Sequence, residues 1–434
     1  MHALIILVIC IVLLIVTVTV FKVHPIPALL IFGLILGLAS GGSVTTVTES
    51  LLNGFGNTLK WIGLIILFGA LLGEILSNTG GSDVIADSII TLFGTKYLPL
   101  SMALIGFLIG IPVFMDVAYL TLLPTLHVLS KKSGHSILVL GLSLAMSLTV
   151  AHALIPPTPG PLAVASTFNI NAGEIIPLNV AVAIAAIIGG LAWLKFNKKN
   201  LQTTNEIDSS KINKTEHKKL SGYKKILPFA ALLVPLILMS TGAIVKGESA
   251  FIAFIKNPIW SLLIGILFAL PLLGKQNFST KLNSHFNNAG SKTAIVILIT
   301  GTGGAFGQVI KDTGIVSSLF SNSESISSMG IIVPFLLSML FTTVTGSITV
   351  SLITTASIVA PLISNGTLDP TFTTAAICAG SLGIIHVNSS FFWLFKEIHN
   401  VSVPKLLKSF SLLTAVVSLS GGLMVLIAHI LLSD

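Results

Sequence analysis

Asp116, His152 and His386 stand inside long apolar stretches, each beside residues that break helices. A lone carboxylate in apolar surroundings is costly when charged and tends to hold a proton. Asp116 is therefore a candidate proton carrier; the plainer reading is a carboxylate satisfied by the backbone of a turn. His152 and His386 could bind an anionic substrate, move protons, or serve as core histidines bonded to backbone carbonyls. Four irregular segments surround these groups. The first is Gly110-Ile111-Pro112-Val113-Phe114-Met115-Asp116. The second starts at His152 and holds Pro156, Pro157, Thr158, Pro159, Gly160 and Pro161, a run through which no helix continues. The third is Thr342-Thr343-Val344-Thr345-Gly346-Ser347-Ile348-Thr349, and the fourth His386-Val387-Asn388-Ser389-Ser390.

Irregular backbone at membrane depth is tolerated where it lines a cavity or is buried in protein. The four segments are expected to meet around one cavity near the midplane. Helix N-termini at the breaks would offer N–H groups and partial positive charge to a carboxylate. Thr158, Thr343, Thr345, Ser347, Asn388, Ser389 and Ser390, with the Gly346 backbone, would bond hydroxyls. All 23 basic residues are lysine, so the usual bidentate clamp for carboxylates, arginine, is absent.

The elements that position these groups must be helices in lipid. Of 434 residues, 53% are hydrophobic and 9% charged, and mean hydropathy is +0.99. Soluble domains carry about 25% charged residues. Apolar runs fall near 3–21, 26–41, 61–76, 98–114, 117–130, 136–155 and 174–196. They resume near 226–245, 258–274, 293–310, 331–345, 347–363, 371–387 and 410–431. Between the two sets lies a lysine-rich polar stretch, 197–225. The chain thus divides into a first transmembrane repeat (1–196), a cytoplasmic loop (197–225) and a second repeat (226–434). The run from Ala3 to Val20 lacks a basic start and a small-residue cleavage site, and reads as a retained helix.

An offset of 234 superposes the halves without a gap. Gly56 falls on Gly290, Gly69 on Gly303, Gly73 on Gly307, Ser147-Leu148 on Ser381-Leu382 and His152 on His386. Glu74 falls on Gln308, which suggests a structural hydrogen bond at that place. Internal repeats are a feature of secondary transporters. The short runs 98–114 and 117–130 read as a re-entrant hairpin, and 331–345 with 347–363 as its counterpart. Five spans plus one hairpin per half is an odd count, so the halves are expected to be inverted. With 197–225 in the cytoplasm, only Lys60, Lys246, Lys256 and Lys311 fall outside, the positive-inside pattern.

The net charge of +8 follows from these loop lysines and forms no stripe for nucleic acid. Cys10 and Cys378 lie in apolar runs and suggest neither disulfide nor metal. Zinc-protease, serine-hydrolase and nucleotide-loop motifs are absent. No enzyme and no cofactor is expected, and transport would draw on an ion gradient or the substrate's own. Gly301-Thr302-Gly303-Gly304 sits in an apolar run and reads as close helix packing. Rival readings are a passive facilitator for the same anions, a cation/proton antiporter and a membrane sensor. An antiporter would want paired carboxylates, and a sensor a larger soluble domain.

The chain resembles the gluconate permease (gluconate:proton symporter) family over essentially its whole length. The resemblance is carried by Gly54-Phe55-Gly56-Asn57-Thr58-Leu59 through Ser77-Asn78-Thr79-Gly80-Gly81 and by Ala151-His152-Ala153-Leu154-Ile155-Pro156-Pro157-Thr158-Pro159-Gly160-Pro161. Gly303-Gly304-Ala305-Phe306-Gly307-Gln308-Val309-Ile310-Lys311-Asp312 and His386-Val387-Asn388-Ser389-Ser390-Phe391-Phe392-Trp393-Leu394-Phe395-Lys396-Glu397 complete it. It implies proton-coupled import of gluconate, a related sugar acid or glycerate, with D-serine in one branch and sodium as the alternative coupling ion. It also implies a bacterial plasma (inner) membrane, a homodimeric scaffold and elevator-like motion of hairpins and broken helices. Two places depart from the family pattern. Thr158 stands where His is usual between the proline pairs, and Ser389-Ser390-Phe391 where Asp-Ser-Gly is usual. Both lie in the expected site and remove a titratable group from each half.

Overall fold

The computed structural model describes residues 6, 9–10, 12–14, 16–17, 21, 23–94, 97–133, 135–201, 220, 222–244, 249–313, 330–387 and 389–432. Most of the expected first helix and of the lysine-rich loop lies outside them, as do Lys22, Lys96, Lys246 and Asn388. Every regular element among the described residues is helical. In chain order these are α1 (Pro25–Ala39), α2 (Val44–Asn78), α3 (Gly81–Phe93), α4 (Leu98–Gly110), α5 (Met115–Ser133), α6 (Ile137–Leu154), α7 (Pro159–Thr167) and α8 (Ala172–Phe196). The second half gives α9 (Leu227–Ile244), α10 (Ala250–Lys256), α11 (Pro258–Ala269), α12 (Phe278–Asp312), α13 (Ile332–Thr345), α14 (Ile348–Ser364), α15 (Pro370–Ser381), α16 (Ser390–His399), α17 (Val403–Leu406) and α18 (Leu412–Leu432).

Local chemistry sets many of these bounds. Pro25, Pro159, Pro258 and Pro370 each open a helix, where the missing N–H is not needed. Ser43, Asn171 and Asp369 cap helix starts by accepting backbone N–H bonds. Four described stretches are long and apolar enough to cross a membrane: Ile137–Thr167, Ala172–Phe196, Phe278–Asp312 and Val403–Leu432. A fifth forms if Val44–Lys60 and Gly63–Asn78, bent by 42°, are one span. Three of the four expected hairpin arms, α4, α13 and α14, are among the shorter apolar helices; α5, with 19 residues, is not.

The apolar runs 61–76 and 293–310 understated two elements. Each is the C-terminal part of a 35-residue helix, α2 or α12. Their N-terminal parts are too polar for hydropathy to mark, yet they pack. The bounds of α2 and α12 differ by the same 234 as the sequence repeat. The two helices run antiparallel. Glu74, near the end of α2, meets Asn288 and Lys292 toward the start of α12. Gly54, toward the start of α2, packs on Gly304 and Gln308, late in α12.

The largest core lies among α4, α5, α6, α8, α14, α15, α16 and α18. Of the 18 residues of α6, His152 alone is not buried. Helices α5 and α16 join the halves through fully buried rings. Tyr119 packs on Phe391 and Phe395, each at 5.5 Å between centroids, and its hydroxyl hydrogen-bonds His399 Nε2. Tyr119→Phe would leave that imidazole nitrogen buried without its partner. We expect it to lower stability by about 1–3 kcal/mol, read as the melting temperature of the purified protein in detergent.

Candidate functional site

The first hairpin turns at Ile111–Phe114, between α4 and α5. Gly73 lets this turn lie against α2, because a Cβ there would meet the Pro112 carbonyl oxygen at 1.9 Å. The break between α6 and α7 lies beside it: a Cβ on Gly69 would meet Pro157 Cγ at 3.0 Å. Pro156–Pro157 is a cis peptide. A narrow cavity remains between them, lined by Ile66, Gly69, Ala70, Ile111–Phe114, His152, Pro157, Thr158 and Pro159. Its volume of about 20 Å³ holds a water molecule and no sugar acid, so the site is closed here. The His152 imidazole has no protein partner among the described residues, and the cavity is what it faces.

Several expectations change in this geometry. The cavity is lined by the first half alone; Thr343, Thr345, Gly346, Ser347, His386 and Ser389 do not line it. The second hairpin tip is instead sealed to its own broken helix. His386 Nε2 bonds the Thr343 carbonyl at 2.7 Å, and Thr343 Oγ1 accepts the Ile384 N–H. Thr345 Oγ1 donates to Phe341 O, and Ser347 caps α14 by accepting from Val350 N. Gly346 takes φ 71°, the left-handed turn its lack of a side chain permits. Ser389 is buried at the start of α16. Nothing is described of the Ser390 side chain.

Asp116 is a second correction. It lies in the first turn of α5, past the tip, and is exposed rather than buried. It lines neither this cavity nor its neighbour. A first-turn carboxylate is favoured by the helix dipole. A third correction concerns α7. Pro159 and Pro161 carry no N–H, so this N-terminus offers an anion little beyond the Gly160 amide. Thr158 Oγ1 is turned inward, donating to Ile155 O at 2.6 Å.

Composition and resemblance had not marked Lys292. It lines a second small cavity with Ala70, Gly73, Glu74, Ser77 and Pro112–Phe114. This lies against the same turn as the first cavity and shares four wall residues with it. The repeat alignment carried a signal, since it placed Glu74 and Gln308 at one equivalent position.

Compared with known proteins, residues 2–431 match the family model described as GntP family permease. The chain belongs to the GntP family of permeases. It is 33% identical to a gluconate permease of Pseudomonas aeruginosa, over 96% of each chain. It is 30% identical to the Gnt-II system L-idonate transporter of Escherichia coli over 94% of each, and 31% identical to a high-affinity gluconate transporter of the same organism over 92% of this chain and 93% of that one. In fold it is similar to the YdaH transporter of Alcanivorax borkumensis, with a TM-score of 0.71 at 13% identity, covering 94% of this chain and 99% of that one. MtrF of Neisseria gonorrhoeae gives 0.63 at 12% identity over 95% and 96%. This GntP family member is a transport protein of the bacterial inner membrane, not an enzyme.

In such a permease, a histidine facing the closed cavity should matter more than its sealed counterpart. His152→Gln is expected to slow initial uptake by about tenfold, one lost charged or strong hydrogen bond to the substrate. His386→Gln should lower thermal stability first. Uptake rates and melting curves of the two variants side by side test this.

Proposed function

We propose that this permease imports a small hydroxylated organic acid, gluconate or a related sugar acid, by proton symport. Glycerate and D-serine are the alternatives within the same chemistry, and sodium the alternative ion. The observation that carries the reading is the closed cavity between the first hairpin turn and the proline break, with His152 facing in. The names of the relatives favour sugar acids, and Thr158 and Ser389 leave room for a different member of that class.

We read the halves as inverted. The antiparallel packing of α2 on α12, equivalent helices at one constant offset, supports this. The two hairpins are not equivalently placed, which supports an elevator-like slide. In the first half Pro112 meets Gly73; in the second, Ile353 meets Gly303 and Ser357 meets Gly307. Partner and helix residue are thus 39 apart in one half and 50 in the other. Eleven residues of helix span about 16 Å, the travel between this state and its mirror image. A dimer would supply the fixed scaffold for such a slide.

The test is uptake of labelled gluconate into proteoliposomes under an inward proton gradient, competed by glycerate, other sugar acids and D-serine. Gradient-driven uptake blocked by sugar acids is the expected result. No uptake of any of these acids, with proton or sodium gradients, would remove the substrate assignment.

A further inference from the structure

Glu74 is a carboxylate near the C-terminal end of α2, flanked there by apolar residues, and its side chain is only 6% exposed. Lys292 Nζ donates to its Oε2 at 2.6 Å, Asn288 Nδ2 donates to its Oε1 at 3.1 Å, and His285 Nδ1 lies 4.0 Å away. These partners come from one face of α12, at the spacing Lys281, His285, Asn288 and Lys292. Lys281 itself is turned away, donating to Leu273 O. From the hairpin side the groups facing Glu74 are Pro112, Val113 and Phe114, none of them charged. Glu74 and Lys292 are the charged residues of that cavity wall.

Helix packing does not require this charge pair. The pseudo-equivalent crossing at the other end of α2 and α12 sets Gln308 over Gly54, with Thr58 against Gly304, and holds without one. A buried carboxylate paired with an exposed lysine, in a contact that packing does not need, is a candidate for a switch. Lys292 is held loosely enough for that, its side chain 41% exposed against 6% for Glu74. Its ammonium borders the same Pro112–Phe114 turn that closes over His152. In a chain without arginine, it is the cation nearest that turn among the residues lining either cavity.

Resting on the reading of an organic-anion symporter, we propose that Glu74 and Lys292 are the coupling switch of this permease. The carboxylate of the substrate takes the Lys292 ammonium from Glu74. Glu74, left buried without its cation, takes one proton from the entry side. Lys292 keeps its own proton throughout. After the slide, the substrate leaves, Lys292 returns to Glu74, and the proton departs on the exit side. One monovalent anion and one proton cross together, so the cycle is electroneutral.

The experiment uses the full-length protein in proteoliposomes with labelled gluconate. Counterflow exchange without a gradient and accumulation under an inward proton gradient are measured separately, with and without valinomycin-clamped voltage. The wild type should do both, with accumulation insensitive to voltage. Glu74→Gln should keep counterflow and lose accumulation above equilibrium, a split that a merely structural ion pair would not give. Lys292→Gln should raise the half-saturating concentration by about tenfold or more, the loss of one charge-assisted contact, and should also lose accumulation. The switch is overturned if Glu74→Gln still accumulates gluconate, or loses exchange and accumulation equally while eluting as a folded protein. Should Glu74→Gln not fold, Lys292→Gln with wild-type affinity and coupling overturns it alone. Coupling retained in Glu74→Gln but lost in Asp116→Asn would move the carrier to Asp116. A wild type that transports no gluconate fails the underlying reading instead, a result distinct from all of these.

Discussion

Gly73→Ala should slow transport on the order of a hundredfold, the scale of a one-ångström misplacement at a working site, while leaving the protein in the membrane. The added methyl would sit 1.9 Å from the carbonyl oxygen of Pro112. That atom is backbone in a tight turn, and no side-chain rotation relieves the contact. Either the turn backs away from α2 or the two move apart together. Both outcomes shift Pro112, Val113 and Phe114, which wall the cavity at His152 and the neighbouring one at Glu74. The α2–α12 crossing, the main support of α2, is formed by other residues, so the fold should survive. Gly56→Ala is the matched control. It lies in the same helix, and nothing stands within 4 Å of the added carbon. Trading glycine for alanine there should be neutral or slightly stabilising. Initial uptake rates per unit of reconstituted protein decide the matter. A Gly73→Ala protein as fast as Gly56→Ala would mean that the turn does not press on α2 during transport.

Much of this architecture was legible because its causes are local. Pro112 and Pro156–Pro157 fall just past the ends of α4 and α6, and Pro159 opens α7, so these breaks are where the prolines put them. Hydropathy marked the hairpin arms and the buried α6. It missed the polar N-terminal parts of α2 and α12, because each is held by packing on the C-terminal part of the other helix and not by apolarity. The site was less legible. Composition treats Asp116 as stranded in lipid, but its exposure depends on which side of the first turn of α5 faces out, a fact of tertiary packing. The expectation of two symmetric half-sites assumed that equivalent residues have equivalent surroundings. His152 and His386 differ because one faces a cavity while the other is spent on Thr343 O. Lys292 reads in sequence as one more inside lysine. Only the antiparallel crossing of α2 and α12 brings it to Glu74.

That same crossing predicts a conformation the structure does not display. If the halves are inverted and the hairpins slide, the mirror state exchanges the surroundings of the two repeats. In this state Glu74 and Val113 wall one cavity. Their equivalents at the offset of 234 are Gln308 and Ser347. Here they are apart: α14 passes α12 with Ser357 beside Gly307, ten residues beyond Ser347, or about 15 Å along a helix. In the mirror state they should adjoin. Cysteines placed at Gln308 and Ser347, with Cys10 and Cys378 changed to serine, should therefore form a disulfide under mild oxidation, which needs Cα atoms within about 7 Å. The bond should stop uptake, and a reductant should restore it. Adding gluconate should change the rate of bonding, because substrate shifts the balance between the two states. Each single cysteine should transport normally after oxidation. Efficient bonding that leaves transport intact would show that the hairpin does not need to leave α12, and a fixed-barrier carrier would then replace the slide. No bonding in a variant that still transports would place the second hairpin permanently in the register seen here.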